Sequence, residues 1–174
     1  MPWQQGDDWV SRWMAIAPRL HDAGIVGSEP LGFALLSYVE AMRSELIEFR
    51  LPTFVRAAEC ILAVPKNGGK PVFVERALKV ASAVASHWWL GQAGLEDSLR
   101  QLYEHRNDCV HGKVPFLALR AAGEAGADEA ARFECLAEVV AREAILFALS
   151  SPAFITASTD RASLENAWAA KTIA

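Results

Sequence analysis

Apolar residues recur every three or four positions along most of the chain, which is the spacing of amphipathic helices. The clearest stripe is formed by Leu31, Leu35, Tyr38, Val39, Met42 and Leu46. No segment alternates apolar and polar residues in the way that marks a half-buried strand. The pattern therefore predicts an all-α protein folded as a helical bundle.

Prolines, glycines and capping residues divide the first half of this pattern. Asp7 or Asp8 is placed to cap a first helix that ends near Gly24. Pro52 is expected to end the stripe that begins at Leu31, and Thr53 to cap the following helix, "FVRAAECILAV". These signals predict three helices before the middle of the chain.

The rest of the chain begins with "PKNGGKP" (65–71), the clearest loop, after which Pro71 is expected to open a helix. The segment "LEDSLRQLYEHRNDCVHG" is predicted to be a helix closed by Gly112. A connection rich in glycine and alanine, "AAGEAGA", then separates it from the next helix. The last two helices are predicted from Asp128 to about Leu149 and from about Ser163 to Ala170.

The chain of 174 residues is long enough for one domain with a hydrophobic core, and we assign residues 1–174 to a single domain. Hydrophobic residues make up 52% and charged residues 22%, a globular balance. The net charge of −4 argues against a protein that coats nucleic acid through a broad basic surface. A small, local basic site remains compatible with it.

The N-terminal sequence "MPWQQGDDWVSRW" is acidic where a signal peptide is basic, and no apolar run approaches membrane-spanning length. Cys60, Cys109 and Cys135 are scattered and odd in number, so they indicate neither a disulfide framework nor a zinc site. We therefore expect a cytoplasmic protein without a membrane partner.

The segment "YEHRNDCVHGK" (103–113) carries the densest group of reactive side chains. Arg106 interrupts an apolar stripe that includes Leu99, Leu102, Cys109 and Val110. A guanidinium on such a face must meet a carboxylate, line a cleft or receive an anion, because burying it unpaired is costly.

Arg106 and His111 are five residues apart, about 140° around an ideal helix. The two side chains can meet only if the arginine is long enough, if the last turn of the helix is loosened, or if a neighbouring subunit brings them together. Two plainer interpretations stay open. His111 would then only bond the last carbonyls of its helix, and Arg106 would be a buried ion-pair partner.

The string "LYEHRNDCVHG" resembles the signature of the HEPN superfamily, and within it the Apea-like branch, in which an aromatic residue precedes "RN…VHG". "FVRAAECIL" and "FVERALKV" resemble two further helices of that branch, and the resemblance covers roughly Leu31 to Leu149. It implies an up-and-down bundle of four to five main helices with short flanking helices and a core at about 31–150. It also implies a homodimer whose two motifs face each other across the interface.

Many HEPN proteins are metal-independent endoribonucleases in toxin–antitoxin, anti-phage or RNA-processing systems. The resemblance implies that His111 transfers protons, that Arg106 clamps the phosphate and that Asn107 orients the substrate or the imidazole. Cleaving RNA without a metal needs these functions: an acid and a base, and positive charge at the phosphorane. The implied partners are RNA and an antitoxin or another defence-system protein.

Glu59 resembles a glutamate of the family and is the expected partner of Arg106. Arg56 either joins that network or forms an ordinary surface pair with Glu59. Asp108 and Glu104 flank the arginine; either could be its partner instead, but solvated charges on the helix surface are the preferred interpretation of both.

Tyr103 lies in a second row with Asn107 and His111. In one HEPN branch a tyrosine that becomes modified follows the histidine by two residues, but here that position is Lys113. This difference argues against regulation by that route. It leaves Lys113 as an extra phosphate contact or an ordinary exposed lysine.

No metal-ligand spacing and no phosphate-binding glycine loop is visible, so we expect neither metal nor cofactor. Cys109 and His111 point in different directions on a helix, which excludes a cysteine nucleophile. Two alternatives to the nuclease remain. The chain is either a non-catalytic HEPN-fold module for dimerisation and binding of RNA or a partner, or an unrelated bundle in which Arg106 is structural.

Overall fold

The computed structural model describes residues 30–83 and 94–170, and every secondary-structure element in these two ranges is a helix. The eight helices are α1 (Leu31–Arg43), α2 (Ile47–Ile61), α3 (Gly69–Ala83), α4 (Leu95–Val110), α5 (Pro115–Ala121), α6 (Glu124–Ser150), α7 (Pro152–Ala157) and α8 (Arg161–Ala169). The predicted all-α bundle is confirmed. The helix expected between Asp7 or Asp8 and Gly24 lies outside the described residues.

Helices α2 and α6 form the centre of the bundle. Helix α2 packs against α1 and α6 and is also covered by α4, while α3 packs on α4 and α6. The largest fully buried side chains include Phe54, Phe73, Phe116 and Phe133, which come from four different helices. One continuous core therefore holds these elements together, since burial of large aromatic side chains dominates such packing.

The carbonyl groups at the end of α2 are bound by side chains from distant helices. Arg76 donates to the oxygens of Leu62 and Ala63 at 2.7 and 3.1 Å. Trp168 Nε1 donates to the oxygen of Ile61 at 2.9 Å. These bonds satisfy carbonyls that a helix end otherwise leaves unpaired, and they fix the start of the loop after α2.

The break between α1 and α2 falls at residues 44–46, not at Pro52, so the predicted boundary is wrong. Arg50 explains the break, because its guanidinium donates to the oxygen of Ser44 at 2.8 Å and to that of Glu45 at 3.1 Å. Pro52 lies inside α2, where it removes one hydrogen bond near the helix start. Thr53 does not cap a helix; its hydroxyl donates to the oxygen of Phe49 at 2.6 Å.

Helix α1 buries part of the predicted stripe, Leu31 and Tyr38, and Leu35 packs against the core. Its buried residues include Leu31, Ala34, Tyr38 and Ala41, whereas Val39, Met42 and Leu46 of the predicted stripe are exposed. Small alanines allow α1 to approach its neighbours closely, so the larger apolar side chains on other sides of the helix stay at the surface.

Helix α6 begins at Glu124, four residues before the predicted start at Asp128. Gly126 is buried there, and a Cβ atom at this position would lie 1.9 Å from the backbone oxygen of Leu119. The glycine thus permits close contact between α6 and α5 and does not mark a loop. Helices α5 and α7 were not predicted.

No helix within residues 30–83 and 94–170 is long and apolar enough to cross a membrane.

Candidate functional site

A surface cleft lies where the second half of α2, the loop 62–68, the first turn of α3 and the second half of α4 meet. It has two lobes with volumes of about 220 Å³ and about 480 Å³. Lys66, Tyr103 and Arg106 line both lobes, so the lobes are continuous. We call the smaller one, which also contains Arg56, Glu59 and Arg161, the loop lobe. The larger one, which also contains Gly69, Lys70, Asn107 and His111, is the histidine lobe.

Arg106 lies at the junction of the two lobes, and its guanidinium is held in place from three sides. Nη2 donates to Glu59 Oε2 at 2.7 Å and Nη1 donates to Asn107 Oδ1 at 3.0 Å. The guanidinium carbon lies 5.4 Å from the centre of the Tyr103 ring, a cation–π distance. Its Nε atom is buried and has no hydrogen-bond partner among the described residues. Arg106 is therefore oriented before any ligand arrives.

Tyr103 also holds Glu59, the partner of Arg106, in place. Its hydroxyl donates to Glu59 Oε1 at 2.8 Å, and its ring packs on Phe73 with the ring centres 5.1 Å apart. Burial, together with the negative charge of Glu59, raises the pKa of Tyr103 to about 12. The phenol consequently remains protonated and keeps donating to the carboxylate that holds Arg106.

Gly69 allows α3 to start directly beside Tyr103. A Cβ atom at position 69 would lie 2.7 Å from the Tyr103 hydroxyl and 2.7 Å from Val64 Cγ1. The sequence "NGGK" by itself predicts only a turn, yet Gly68, Gly69 and Lys70 line the histidine lobe. The absence of a side chain at Gly69 keeps the cleft open at this point.

His111 follows α4 directly, and the regular helical hydrogen bonding continues up to this residue. Its backbone N–H donates to the oxygen of Asn107 at 3.0 Å, and Gly112 then takes a φ of +78° that favours glycine. Its side chain is exposed in the histidine lobe, which Arg106 and Asn107 also line. The two motif side chains therefore reach one cleft within a single chain, although they point from different sides of the helix.

Most of the residues predicted to support Arg106 do other things. Glu59 pairs with it, as expected from the resemblance. Asp108 pairs with Lys113 at 2.8 Å, and Glu104 pairs with Lys70 at 2.7 Å. Neither flanking carboxylate binds the arginine, because each has a lysine nearer to it.

Arg56 forms neither of the two predicted contacts. Its Nε donates to Ser37 Oγ at 3.3 Å, and its Nη2 lies 3.9 Å from Glu40 Oε2, both on α1. Its side chain is 60% exposed and lines the loop lobe. Arg56 thus contributes positive charge to the cleft without sharing the carboxylate of Glu59.

The stripe predicted on α4 is correct only in part. Leu99 and Leu102 are fully buried, but Val110 is 58% exposed. Cys109 is half-buried, and its burial, with Glu48 and Asp108 nearby, raises the pKa of its thiol to about 11. A thiol in this state is a poor nucleophile at neutral pH, since the thiolate is the reactive form.

Three cations of the cleft were missed in the sequence: Lys66, Lys70 and Arg161. Lys66 belongs to the predicted loop, and it forms no ion pair with any described residue. Arg161 comes from α8 and donates to the oxygen of Val64 at 2.7 Å across 97 residues of sequence. A lysine beside "NGGK" was visible as a candidate, but no local signal connects Arg161 to this cleft.

Within the described ranges, no group of three or more His, Cys, Asp or Glu side chains is arranged to hold a metal ion. His105 packs between Phe116 and Phe133, with ring centres 5.1 and 4.6 Å away, and burial lowers its pKa. It belongs to the core, away from the cleft.

Comparisons with protein-family models, with curated proteins and with solved structures gave no match. The resemblance to HEPN proteins therefore rests on the motif segments of the sequence.

Proposed function

We propose that this chain is a metal-independent endoribonuclease of HEPN type that acts as a homodimer in toxin biology or anti-phage defence. The observation that carries the proposal is the shared cleft of Arg106, Asn107 and His111. An arginine held in a fixed orientation beside an exposed imidazole matches the needs of RNA cleavage by attack of the 2′-hydroxyl.

The proposed chemistry gives each side chain one role. His111 accepts the proton of the 2′-hydroxyl or protonates the leaving 5′-oxygen, since an imidazole can serve as a general base or a general acid. Arg106 stabilises the charge that develops on the phosphorane, and Asn107 orients the substrate. The products carry 2′,3′-cyclic phosphate and 5′-hydroxyl ends.

One imidazole cannot act as acid and base at the same moment, so we infer that the second proton-transfer group comes from a second copy of the chain. Support comes from the apolar surface beside the motif. Val110, Val114 and Leu117 surround His111 in sequence and are 58%, 52% and 61% exposed. Several exposed apolar side chains within one short surface segment favour a surface that binds another protein. A dimer through this surface would bring two His111 side chains together.

The test is cleavage of mixed single-stranded RNAs by purified protein in the presence of EDTA. Wild-type protein should produce fragments with 2′,3′-cyclic phosphate ends, and the Arg106→Ala and His111→Ala variants should each lose at least about a hundredfold in rate. Arg100→Ala is the matched control, because Arg100 lies on α4 but pairs with Glu96 on the exposed face.

Circular dichroism must show equal helical content in all three variants. Wild-type protein that leaves every RNA intact, or a His111→Ala variant that cleaves at the wild-type rate, contradicts the proposal. Mass measurement in solution tests the dimer separately, and a monomer at micromolar concentration contradicts that part.

The second candidate function is a non-catalytic module that binds RNA or a partner. It is favoured by the contacts of Arg106, whose guanidinium already bonds to Glu59 and Asn107. An arginine held by these two partners can hold a ligand or the fold without taking part in a reaction. Binding of RNA without cleavage, and equal binding by His111→Ala, would select this function.

A further inference from the structure

The loop lobe contains charged side chains that have no role in the proposed reaction. Three cations line it in addition to Arg106: Arg56 from α2, Lys66 from the loop and Arg161 from α8. Its carboxylate, Glu59, already accepts hydrogen bonds from Tyr103 on one oxygen and from Arg106 on the other. The lobe is therefore a positively charged recess whose acidic group is satisfied.

The cations of the loop lobe differ in how firmly they are held. Lys66 forms no ion pair in the described part of the chain, and Arg56 is 60% exposed with its nearest carboxylate 3.9 Å away. Arg161 is held more firmly, by Glu165 and by the oxygen of Val64, both at 2.7 Å. Arg56 and Lys66 can turn towards an anion at little cost, because exposed pairs contribute little stability.

The position of the lobe indicates which anion it takes. It joins the histidine lobe at Arg106, where the proposed function places the phosphate that is cleaved. We propose that the loop lobe binds the neighbouring phosphate of the same RNA strand, so that the substrate is a single strand with at least two phosphodiesters. This inference rests on the proposed function. A recess of about 220 Å³ has room for a phosphate and part of its nucleotide.

The experiment measures binding, so that it is independent of cleavage. Uridine oligomers with 2′-O-methyl groups, which lack the attacking hydroxyl, carry one, two or three phosphodiesters and compete with a labelled octamer of the same chemistry. For wild-type protein, the affinity should rise about tenfold from one to two phosphodiesters, the gain expected for one charge-assisted phosphate contact.

The double variant Arg56→Gln/Lys66→Gln should reduce this gain to less than about threefold, because only Arg161 then remains beside Arg106. The matched control is Arg100→Gln/Lys79→Gln, which removes two exposed cations that pair with carboxylates on their own helices. The control should keep the wild-type gain. Affinity should also be measured between about 50 and 200 mM salt. In the double variant, the slope of log affinity against log salt should be shallower by roughly 1 or more, the change expected when one phosphate contact is lost.

If the second phosphodiester raises the affinity equally in the double variant and in its control, the inference about the loop lobe is wrong and the nuclease proposal is unaffected. A gain that depends on Arg56 and Lys66, in a protein that cleaves no RNA, would support the lobe and contradict the nuclease. An octamer that binds Arg106→Ala as tightly as wild-type protein would overturn both.

Discussion

Glu59 on α2 and Arg106 on α4 form an ion pair with 2.7 Å between Oε2 and Nη2, across 47 residues of sequence. Their side chains are 14% and 23% exposed, so the pair is largely shielded from water. The second oxygen of Glu59 accepts the hydroxyl of Tyr103. One carboxylate thus links two helices and fixes the arginine at the junction of the two lobes.

Replacing Glu59 by glutamine should lower the free energy of unfolding by about 1–3 kcal/mol, because Arg106 keeps its charge in a mostly buried place and loses its carboxylate. The amide oxygen of the introduced glutamine can still accept the tyrosine hydroxyl. Urea denaturation followed by circular dichroism measures the change.

A double-mutant cycle with Arg106→Gln isolates the pair, and its coupling energy should reach at least about 1 kcal/mol. Glu96→Gln is the comparison variant, since Glu96 forms an exposed pair with Arg100 at 2.6 Å, and its cost should stay below about 0.5 kcal/mol. Additive effects of Glu59→Gln and Arg106→Gln would mean that the two side chains do not stabilise each other.

The raised pKa of Tyr103 predicts that the folded protein loses stability in alkali. The pKa of this tyrosine in the folded protein is raised to about 12 by burial and by the charge of Glu59, whereas a tyrosine in an unfolded chain has a pKa of about 10. The folded state therefore retains its proton longer than the unfolded state does. The stability from this group is present below about pH 10 and is lost as the pH rises towards 12.

The measurement compares unfolding of wild-type protein and Tyr103→Phe at several alkaline pH values. The variant should be less stable near neutral pH by about 1 kcal/mol, the value of one hydrogen bond. Above about pH 10 the difference should shrink by at most about 1.4 kcal/mol per pH unit and should reverse sign before about pH 12. Tyr38, whose pKa is also raised by burial, is present in both proteins and cancels. A difference that does not change with pH would contradict the prediction.

The sequence was sufficient for the parts of the fold that local patterns control. The spacing of apolar residues predicted helices, and Gly112, with φ of +78°, ends the motif segment as expected. The break at residues 44–46 was not predictable, because the guanidinium of Arg50 holds it and no proline or glycine marks it. A proline signal at Pro52 was overridden by the packing of α2.

The candidate site likewise contains residues that local sequence patterns reveal and residues that they do not reveal. Arg106, Asn107 and His111 are close in sequence, and the motif made them visible together. Arg161 joins them only because α8 returns to the loop after α2, where Arg161 bonds to the oxygen of Val64. Contacts that depend on the return of a distant helix leave no pattern in the local sequence.

Gly126 provides a test of the contact between α5 and α6. Glycine to alanine within a helix normally stabilises a protein by about 1 kcal/mol. Here the opposite is expected, because a Cβ atom would lie 1.9 Å from the oxygen of Leu119, and backbone cannot give way as a flexible side chain does. Gly126→Ala should lower the unfolding free energy by about 1–3 kcal/mol or more, as measured by thermal and urea denaturation.

Ala127→Gly is the control for this comparison, because it changes the same turn of α6 at an exposed position. It should cost only about 0.5–1 kcal/mol, the ordinary penalty of glycine in a helix. A Gly126→Ala variant as stable as wild-type protein would show that α5 and α6 are not in close contact there.

Cys109 distinguishes the proposed arginine–histidine chemistry from a thiol mechanism. Burial, with Glu48 and Asp108 nearby, raises the pKa of this thiol to about 11. At about pH 8, its thiolate fraction should be at least about a hundredfold smaller than in an unfolded chain, where a cysteine pKa is about 8.5. In a Cys60→Ala/Cys135→Ala background, alkylation by iodoacetamide should be slower in the folded protein by a similar factor.

The same residue tests the nuclease directly. Cys109→Ala should keep RNA cleavage within about threefold of wild type, because the proposed steps use no sulfur, while its stability falls by about 1 kcal/mol from the loss of a half-buried side chain. Rapid alkylation of Cys109 in the folded protein, combined with loss of cleavage in a folded Cys109→Ala variant, would contradict the proposal. These results would mean that the Cys109 thiolate is the attacking group. The reaction would then require a covalent intermediate, and Arg106 and His111 would have to act on that intermediate and not on a 2′-hydroxyl.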